Sequence, residues 1–165
     1  MAQNLLTIDP GIGSTGWAYW DTSSLEPRAT GIIKTSPAVW SLHAKAQGVS
    51  LVHDVLSVNR KRRSMQIFCE FPSFFAGNSG GMAASQSGSI QKLAYLVGVY
   101  SAMMTAEFPT SVFTPILVRD WKGQLPKEVV IRRIKSILGE HACKQFQKDI
   151  WDAVGIGLAI KGVFK

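Results

Sequence analysis

The chain has 165 residues and a net charge of +7, with 46% hydrophobic and 18% charged residues. This composition excludes disordered and collagen-like chains and predicts one globular domain spanning residues 1–165. We expect neither a membrane span, which needs ~20 apolar residues, nor a secretory signal at the N-terminus.

The first part of the chain predicts three short strands joined by tight turns. Residues 5–8 form an apolar run that ends in an Asp-Pro-Gly turn at residues 9–11. Residues 16–21 and 29–34 have the aromatic and β-branched content of strands. Because the connections are short, we expect an antiparallel meander.

The rest of the chain alternates between helical and extended patterns. The order βββαβαβα predicts an α/β fold with a five-stranded mixed sheet, in which three antiparallel strands are followed by parallel strands, flanked by helices. A glycine- and serine-rich stretch at residues 76–89 predicts a mobile loop. The remaining predicted elements are a helix at 40–58, a strand at 65–70, a helix at 90–104, a strand at 110–114 closed by Pro115, and helices at 127–138 and 148–161.

The glycine-rich segment at residues 11–16 reads Gly-Ile-Gly-Ser-Thr-Gly and fits the pattern of a dinucleotide-binding loop. That function needs a helix to begin at the last glycine, whereas residues 17–21 favour a strand. We interpret the segment as a turn that leaves room for a phosphate or a metal near Asp9. A phosphate loop of the actin and sugar-kinase type is a further alternative, although those proteins need two lobes.

Four acidic residues at strand and helix ends are the candidate catalytic residues. Asp9 and Glu70 end apolar strands, and Asp149 and Asp152 share one face near the start of the last helix. Turn formation and the helix dipole are the structural alternatives for Asp9 and Asp149. If the first and fourth strands pair in parallel, the carboxylates converge, and divalent cations would relieve their repulsion. Oxygen ligands favour Mg²⁺ or Mn²⁺, with two ions per site.

These residues resemble the RuvC family of Holliday-junction resolvases. Residues 6–11 with Thr15 and Gly16 are similar to the opening of that family, and Glu70 and residues 149–153 are similar to its later acidic motifs. The resemblance implies a ribonuclease H-like fold, a homodimer without a small-molecule cofactor, and Mg²⁺-dependent nicking of four-way DNA junctions. It implies that the metal-binding catalytic acids are Asp9, Glu70, Asp149 and Asp152.

The segment after Glu70 departs from the family pattern, so we interpret the chain as a divergent member and hypothesise that a phage encodes it. The two cysteines do not make a disulfide framework, which favours a reducing compartment. We therefore expect the cytoplasm of a bacterium or of a phage-infected host. An RNA–DNA hybrid or duplex DNA as substrate, and a non-cleaving DNA-binding protein, stay open as alternatives.

Basic and aromatic residues near these acids are the candidate DNA contacts. Residues 119–148 carry eight basic and three acidic side chains. Lys122 and Lys127 should lie on a loop with free ammonium groups, either on phosphates or in solvent. Two phenylalanines of the glycine-rich segment are either a wedge that stacks on an unpaired base or anchors in the core. The predicted DNA-binding set is Phe74, Phe75, Arg119, Lys122, Lys127 and Arg132.

Two further features have open roles. Residues 60–63 read Arg-Lys-Arg-Arg and lie at the far end of the fourth strand, which places Arg63 ~23 Å from Glu70 at ~3.3 Å per residue. A solvated turn is the favoured interpretation, and a grip on a distant duplex arm is the alternative. The second predicted helix is the candidate dimer contact, through Tyr95, Tyr100, Met103 and Met104.

Overall fold

Five strands form one mixed sheet in the structure, a computed structural model that describes residues 4–21, 23–34, 40–72 and 88–164. The strands are Asn4–Asp9 (β1), Ser14–Trp20 (β2), Ala29–Lys34 (β3), Met65–Phe71 (β4) and Val112–Leu117 (β5). The helices are Trp40–Val58 (α1), Ser89–Glu107 (α2), Val118–Trp121 (α3), Lys127–Leu138 (α4), Glu140–Cys143 (α5) and Ile150–Ile160 (α6).

The strand order is β3-β2-β1-β4-β5. The strand β2 pairs antiparallel with β1 and β3, and β4 pairs parallel with β1 and β5, which confirms the predicted mixed sheet. In the β1–β4 register Ile8 lies opposite Cys69. The residues that follow this pair are Asp9, at the end of β1, and Glu70, one residue before the end of β4. The two carboxylates therefore lie on neighbouring strands at the carboxyl-terminal end of both.

Each face of the sheet has its own apolar core. Successive strand residues point to opposite faces, so Leu6 and Ile8 pack under α1 and α2 while Leu5 packs under α4 and α6. The buried hydroxyl of Thr7 donates to the carbonyl oxygen of Ala153 at 2.7 Å and accepts a hydrogen bond from Trp20 Nε1 at 3.2 Å. The bond to Ala153 holds the N-terminal part of α6 against β1, and the bond from Trp20 links β2 to the same hydroxyl.

The prediction that Pro115 closes the fifth strand is wrong. Pro115 lies inside β5, opposite Cys69. The strand is at the edge of the sheet, where the missing N–H of a proline is tolerated. The short helices α3 and α5 were not predicted, and the predicted loop at 76–89 lies outside the described residues apart from Gly88 and Ser89.

The predicted dimer contact on α2 is wrong for two of its residues. The side chains of Tyr100 and Met104 are fully buried in the core between α2 and the sheet. Met103 packs against Gly48 of α1. Of the proposed set only Tyr95 is exposed, at 51% of its surface. None of the helices in the described ranges has the length and apolar content to cross a membrane.

Replacing Gly157 by alanine should destabilise the fold. A Cβ at Gly157 would overlap the indole of Trp20, which is fully buried and has no room to move. Overpacking of this kind costs ~1–3 kcal/mol in the free energy of unfolding, measured by urea denaturation.

Gly98→Ala is the matched control. Gly98 is an exposed glycine within α2, and apart from the neighbouring backbone of α2 no described atom lies within 4 Å of the added Cβ. This variant should gain ~0.5–1 kcal/mol from helix propensity. Equal stability of the two variants would contradict the packing described for α6.

Candidate active site

Asp9 and Glu70 lie close to each other at the carboxyl-terminal ends of the neighbouring strands β1 and β4. Both side chains are partly buried at the top of the sheet. Burial raises the pKa of Asp9 well above 3.8, and the neighbouring charges of Glu70 and Asp152 raise it further. Burial also raises the pKa of Glu70 above 4.5, and Asp152 adds to that rise. The three carboxyl groups therefore form one electrostatic cluster.

Asp152 joins this cluster from the first turn of α6. Its side chain is 12% exposed, and its carboxylate lies 3.5 Å from Lys122 Nζ and 3.4 Å from Lys127 Nζ. A buried carboxylate is costly without a counter-charge, and the two ammonium groups supply it. The Oδ1 atom is buried and accepts no hydrogen bond within the described residues, because Lys122 approaches it at ion-pair distance without hydrogen-bond geometry.

Asp149 lies just before α6 and is held by the β1–β2 turn. Ser14 Oγ donates to Asp149 Oδ2 at 2.8 Å. The backbone of Gly16 approaches the Asp149 carbonyl so closely that a Cβ would overlap it. Gly16 thus allows the closest approach of β2 to the start of α6. Asp149 is not among the charges that raise the pKa of Asp9 or Glu70.

Trp121 is a site residue that the sequence did not predict. Its Nε1 donates to Glu70 Oε2 at 2.9 Å, and this bond lowers the pKa of Glu70 against the effect of burial. The same indole lies 4.7 Å below Lys122 Nζ and packs on Gly155 of α6. The N–H of a buried indole usually finds a hydrogen-bond acceptor. The signal available in the sequence for this role was the tryptophan directly before the basic residue Lys122.

A buried polar network supports the turn that follows Asp9. Tyr100 donates to Gln47 Oε1 at 2.9 Å and lies 2.7 Å from the hydroxyl of Thr15, which accepts from the amide of Gly11 at 3.2 Å. The ring of His43 lies 2.9 Å from the carbonyl oxygen of Ile12. Residues of α1 and α2 therefore hold the turn from beneath. The sequence does not reveal this network, because each member alone looks like an ordinary core or helix residue.

The two lysines do not have the free ammonium groups that the sequence analysis expected. Lys127 is the first residue of α4, not a loop residue, and Lys122 has a side chain that is only 18% exposed. Both are drawn to Asp152 because that carboxylate is desolvated.

Among the described residues, the other predicted DNA contacts form no ion pair with the three acids of the cluster. Arg119 is exposed beside Asp120, at 3.6 Å, and Arg132 is exposed on the outer surface of α4. Phe74 and Phe75 fall outside the described residues, so the wedge stays a prediction.

The donor set suits a hard divalent cation. Asp9, Glu70 and Asp152 offer only carboxylate oxygens, and the buried Oδ1 of Asp152 lacks a hydrogen-bond donor in the described part of the chain. Their mutual repulsion, which raises the pKa of Asp9, would be relieved by such an ion. Within residues 4–21, 23–34, 40–72 and 88–164, however, no three acidic, histidine or cysteine side chains stand close enough to hold one ion. The chemistry of the donors therefore fits, while a closed set of ligands is not formed.

Two of the solved structures with a similar fold are from Thermus thermophilus. One is RuvC in complex with a Holliday junction substrate, with a TM-score of 0.66 and 19% identity over 95% of this chain and 91% of that chain. Another structure of RuvC from this organism has a TM-score of 0.67 and 20% identity over 95% of this chain and 92% of that chain. No protein-family model and no curated protein matches the sequence. The chain thus has the RuvC-like, ribonuclease H-like fold that the sequence motifs predicted.

Trp121→Phe should raise the pKa of Glu70, because it removes the hydrogen bond that stabilises the carboxylate and keeps an aromatic ring. An NMR titration of the side-chain carboxyl carbons measures the shift. Trp40→Phe is the control, since the buried Nε1 of Trp40 has no hydrogen-bond partner in the described residues. A Glu70 pKa that stays the same in Trp121→Phe would show that the bond is not formed in solution.

Asp9→Asn should raise the melting temperature at pH 7 in buffer with EDTA. The pKa of Asp9 is higher in the fold than in the unfolded chain, so the folded state loses stability as pH rises above 3.8 and the buried carboxyl ionises. The increase in melting temperature of Asp9→Asn over the wild type should therefore become smaller as the pH falls to 3.8 and below. Calorimetry across this pH range measures it.

Asp120→Asn is the control for this experiment, because the Asp120 side chain is 54% exposed. Its melting temperature should follow that of the wild type at every pH. A lower melting temperature of Asp9→Asn at pH 7 would refute the proposed cost of burying the charge.

Proposed function

We propose that the chain is a divalent-metal-dependent endonuclease that resolves four-way or other branched DNA by paired nicks. The observation that carries the proposal is the convergence of Asp9, Glu70 and Asp152 at one sheet edge of a RuvC-like fold. One of the structures with this fold is RuvC bound to a Holliday junction substrate, which supports branched DNA as the substrate class. The net charge of +7 supports a polyanionic partner.

The chain's own residues would position the metal and the strand. Asp9, Glu70 and Asp152 would hold one or two Mg²⁺ ions, with Asp149 beside them at the start of α6. When bound, the ions would supply an activated water and compensate the charge that develops on the phosphate. Trp121 orients Glu70 by binding one of its oxygens. In the absence of metal, the ammonium groups of Lys122 and Lys127 compensate Asp152.

The same two lysines are suited to a second role once a cation neutralises Asp152. Their charges lie within 3.5 Å of that carboxylate, at the edge where a scissile phosphate would be bound. An ammonium group freed from the ion pair would contact the phosphate oxygens and oppose the charge that builds up there. This role places the two lysines in the reaction itself, closer to the chemistry than the general phosphate contact that the sequence suggested.

A homodimer would bring two such sites to one junction and so permit paired nicks. The layer formed by α1 and α2 carries Leu42, Val49 and Tyr95, which are exposed by 67%, 51% and 51%. Large apolar side chains exposed on neighbouring helices favour an interface. We therefore propose this layer as the dimer contact in place of Tyr100 and Met104.

A non-cleaving DNA-binding protein is the second candidate. The observation in its favour is that no three ligands in the described ranges are arranged around one ion, while two lysines contact Asp152. Such a protein would bind branched DNA without any Mg²⁺-dependent product.

Asp9→Asn should abolish cleavage while junction binding survives. A synthetic four-way junction with labelled strands, incubated with and without Mg²⁺, gives the nick positions. The loss should exceed about 100-fold, since even the outer partners of metal ligands cost up to about that much. Binding should be unchanged in Ca²⁺, because the fold is kept. Asp120→Asn serves as the charge-matched control and should cut normally.

A panel of substrates separates the candidates. If only an RNA–DNA hybrid or a linear duplex is cleaved, the assigned substrate must be replaced by that one. If the junction is bound but no substrate yields a product, the non-cleaving DNA-binding protein is favoured. Full cleavage by Asp9→Asn would refute the proposed site.

A further inference from the structure

A basic cavity of about 540 Å³ opens at the other end of the strands, opposite the acidic cluster. It lies between the start of β1, the start of β3 and the turn that joins α1 to β4. Among the described residues, four cationic side chains and no acidic side chain line this cavity. These residues are Arg28, Arg60, Lys61 and Arg63.

The turn that carries three of these cations is held in one conformation. Asn59 is 3% exposed; its Nδ2 donates to the carbonyl oxygen of Arg63 at 2.9 Å, and its Oδ1 accepts from the Arg63 amide at 3.1 Å. Arg62 has a left-handed backbone, with φ of 46°, and pairs with Glu107 of α2 at 2.8 Å. The turn therefore directs Arg62 to the helix and leaves its other basic residues at the cavity.

The cations of this cavity are largely uncompensated. No carboxylate within the described ranges lies at ion-pair distance of Arg60, Lys61 or Arg63. Arg28 makes a 3.5 Å contact with Asp21 between two exposed side chains. Like charges held together without counter-charges repel one another, so this arrangement is favourable once an anion binds.

We propose that this cavity binds backbone phosphates of nucleic acid, as a second contact remote from the acidic cluster. Arginine forks match the geometry of phosphate oxygens, and Asn4 and Ser57 add hydrogen-bonding groups to the lining. A protein partner fits less well, because charged residues are depleted at the core of a protein interface, whereas this lining carries four cations among its described residues, and its Tyr19 is 1% exposed. The sequence favoured a solvated turn at residues 60–63. In the structure this turn is fixed by hydrogen bonds and contributes three cations to the cavity.

Distance separates this site from the chemistry. Arg63 lies two residues before β4 and seven residues before Glu70, a span of up to ~23 Å at ~3.3 Å per residue. That span corresponds to ~7 base pairs at 3.4 Å each. The cavity would therefore hold a part of the nucleic acid well away from any strand in the acidic cluster, and its function does not depend on cleavage.

The test is the salt dependence of binding to a duplex of roughly 20 base pairs, ~70 Å long at 3.4 Å per base pair. The triple variant Arg60→Ala/Lys61→Ala/Arg63→Ala should lower the slope of log affinity against log salt by about 1 to 3, at ~0.9 for each lost phosphate contact. Lys61→Ala alone, an exposed single change that leaves the Asn59 bonds intact, should lower it by up to ~0.9. Fluorescence anisotropy measures both, with thermal melts to show that the variants fold.

Arg62→Ala is the matched control, because it removes one charge from the same turn but not from the cavity, and its slope should equal that of the wild type. Calorimetry with pyrophosphate separates the sources of phosphate. Pyrophosphate binding that the triple variant loses, together with an unchanged duplex slope, would make this a small-anion site and overturn the proposal. An unchanged slope in both the triple and the Lys61 variants would overturn it as well. Neither result depends on nicking, so the proposed nuclease activity stands or falls separately.

Discussion

The parallel pairing of β1 with β4 is the constraint on which the acidic cluster depends. It brings the ends of two strands that are some sixty residues apart in the chain to one edge, so that Asp9 and Glu70 are neighbours. Helix α6 then completes the cluster, because Thr7 of β1 bonds to the Ala153 carbonyl and so sets Asp152 beside the other two acids. One strand of the core thus positions residues from three distant segments.

The cluster has a cost that the fold partly offsets. Burial and mutual repulsion raise the pKa of Asp9 and Glu70, which means that the folded chain resists their ionisation. Lys122 and Lys127 oppose this effect by their charge, and Trp121 opposes it by its hydrogen bond to Glu70. Destabilised and incompletely compensated charge of this kind is typical of sites whose function needs a ligand.

The two charged features of the sheet lie at opposite ends of its strands. The carboxyl-terminal end of β1 and β4 carries the acids, and the opposite end carries the cavity of Arg28, Arg60, Lys61 and Arg63. A metal-assisted reaction on a phosphate suits the first end, and a phosphate held without reaction suits the second. A nucleic acid long enough to reach both would bind more strongly than one that reaches either alone.

The sequence by itself determined the order and type of the main elements, because its apolar periods and turn residues are local signals. Through the resemblance of its motifs, it also predicted the RuvC-like fold. Of the four acids that it singled out, the structure brings Asp9, Glu70 and Asp152 together, and the catalytic role of all four stays a prediction. Only the tertiary structure decided the partners of Lys122 and Lys127, the part played by Trp121, the burial of Tyr100 and Met104, and the cavity beside residues 60–63. Each of these depends on contacts between segments far apart in the chain, which no local pattern encodes, and on desolvation, which exists only once the core has formed.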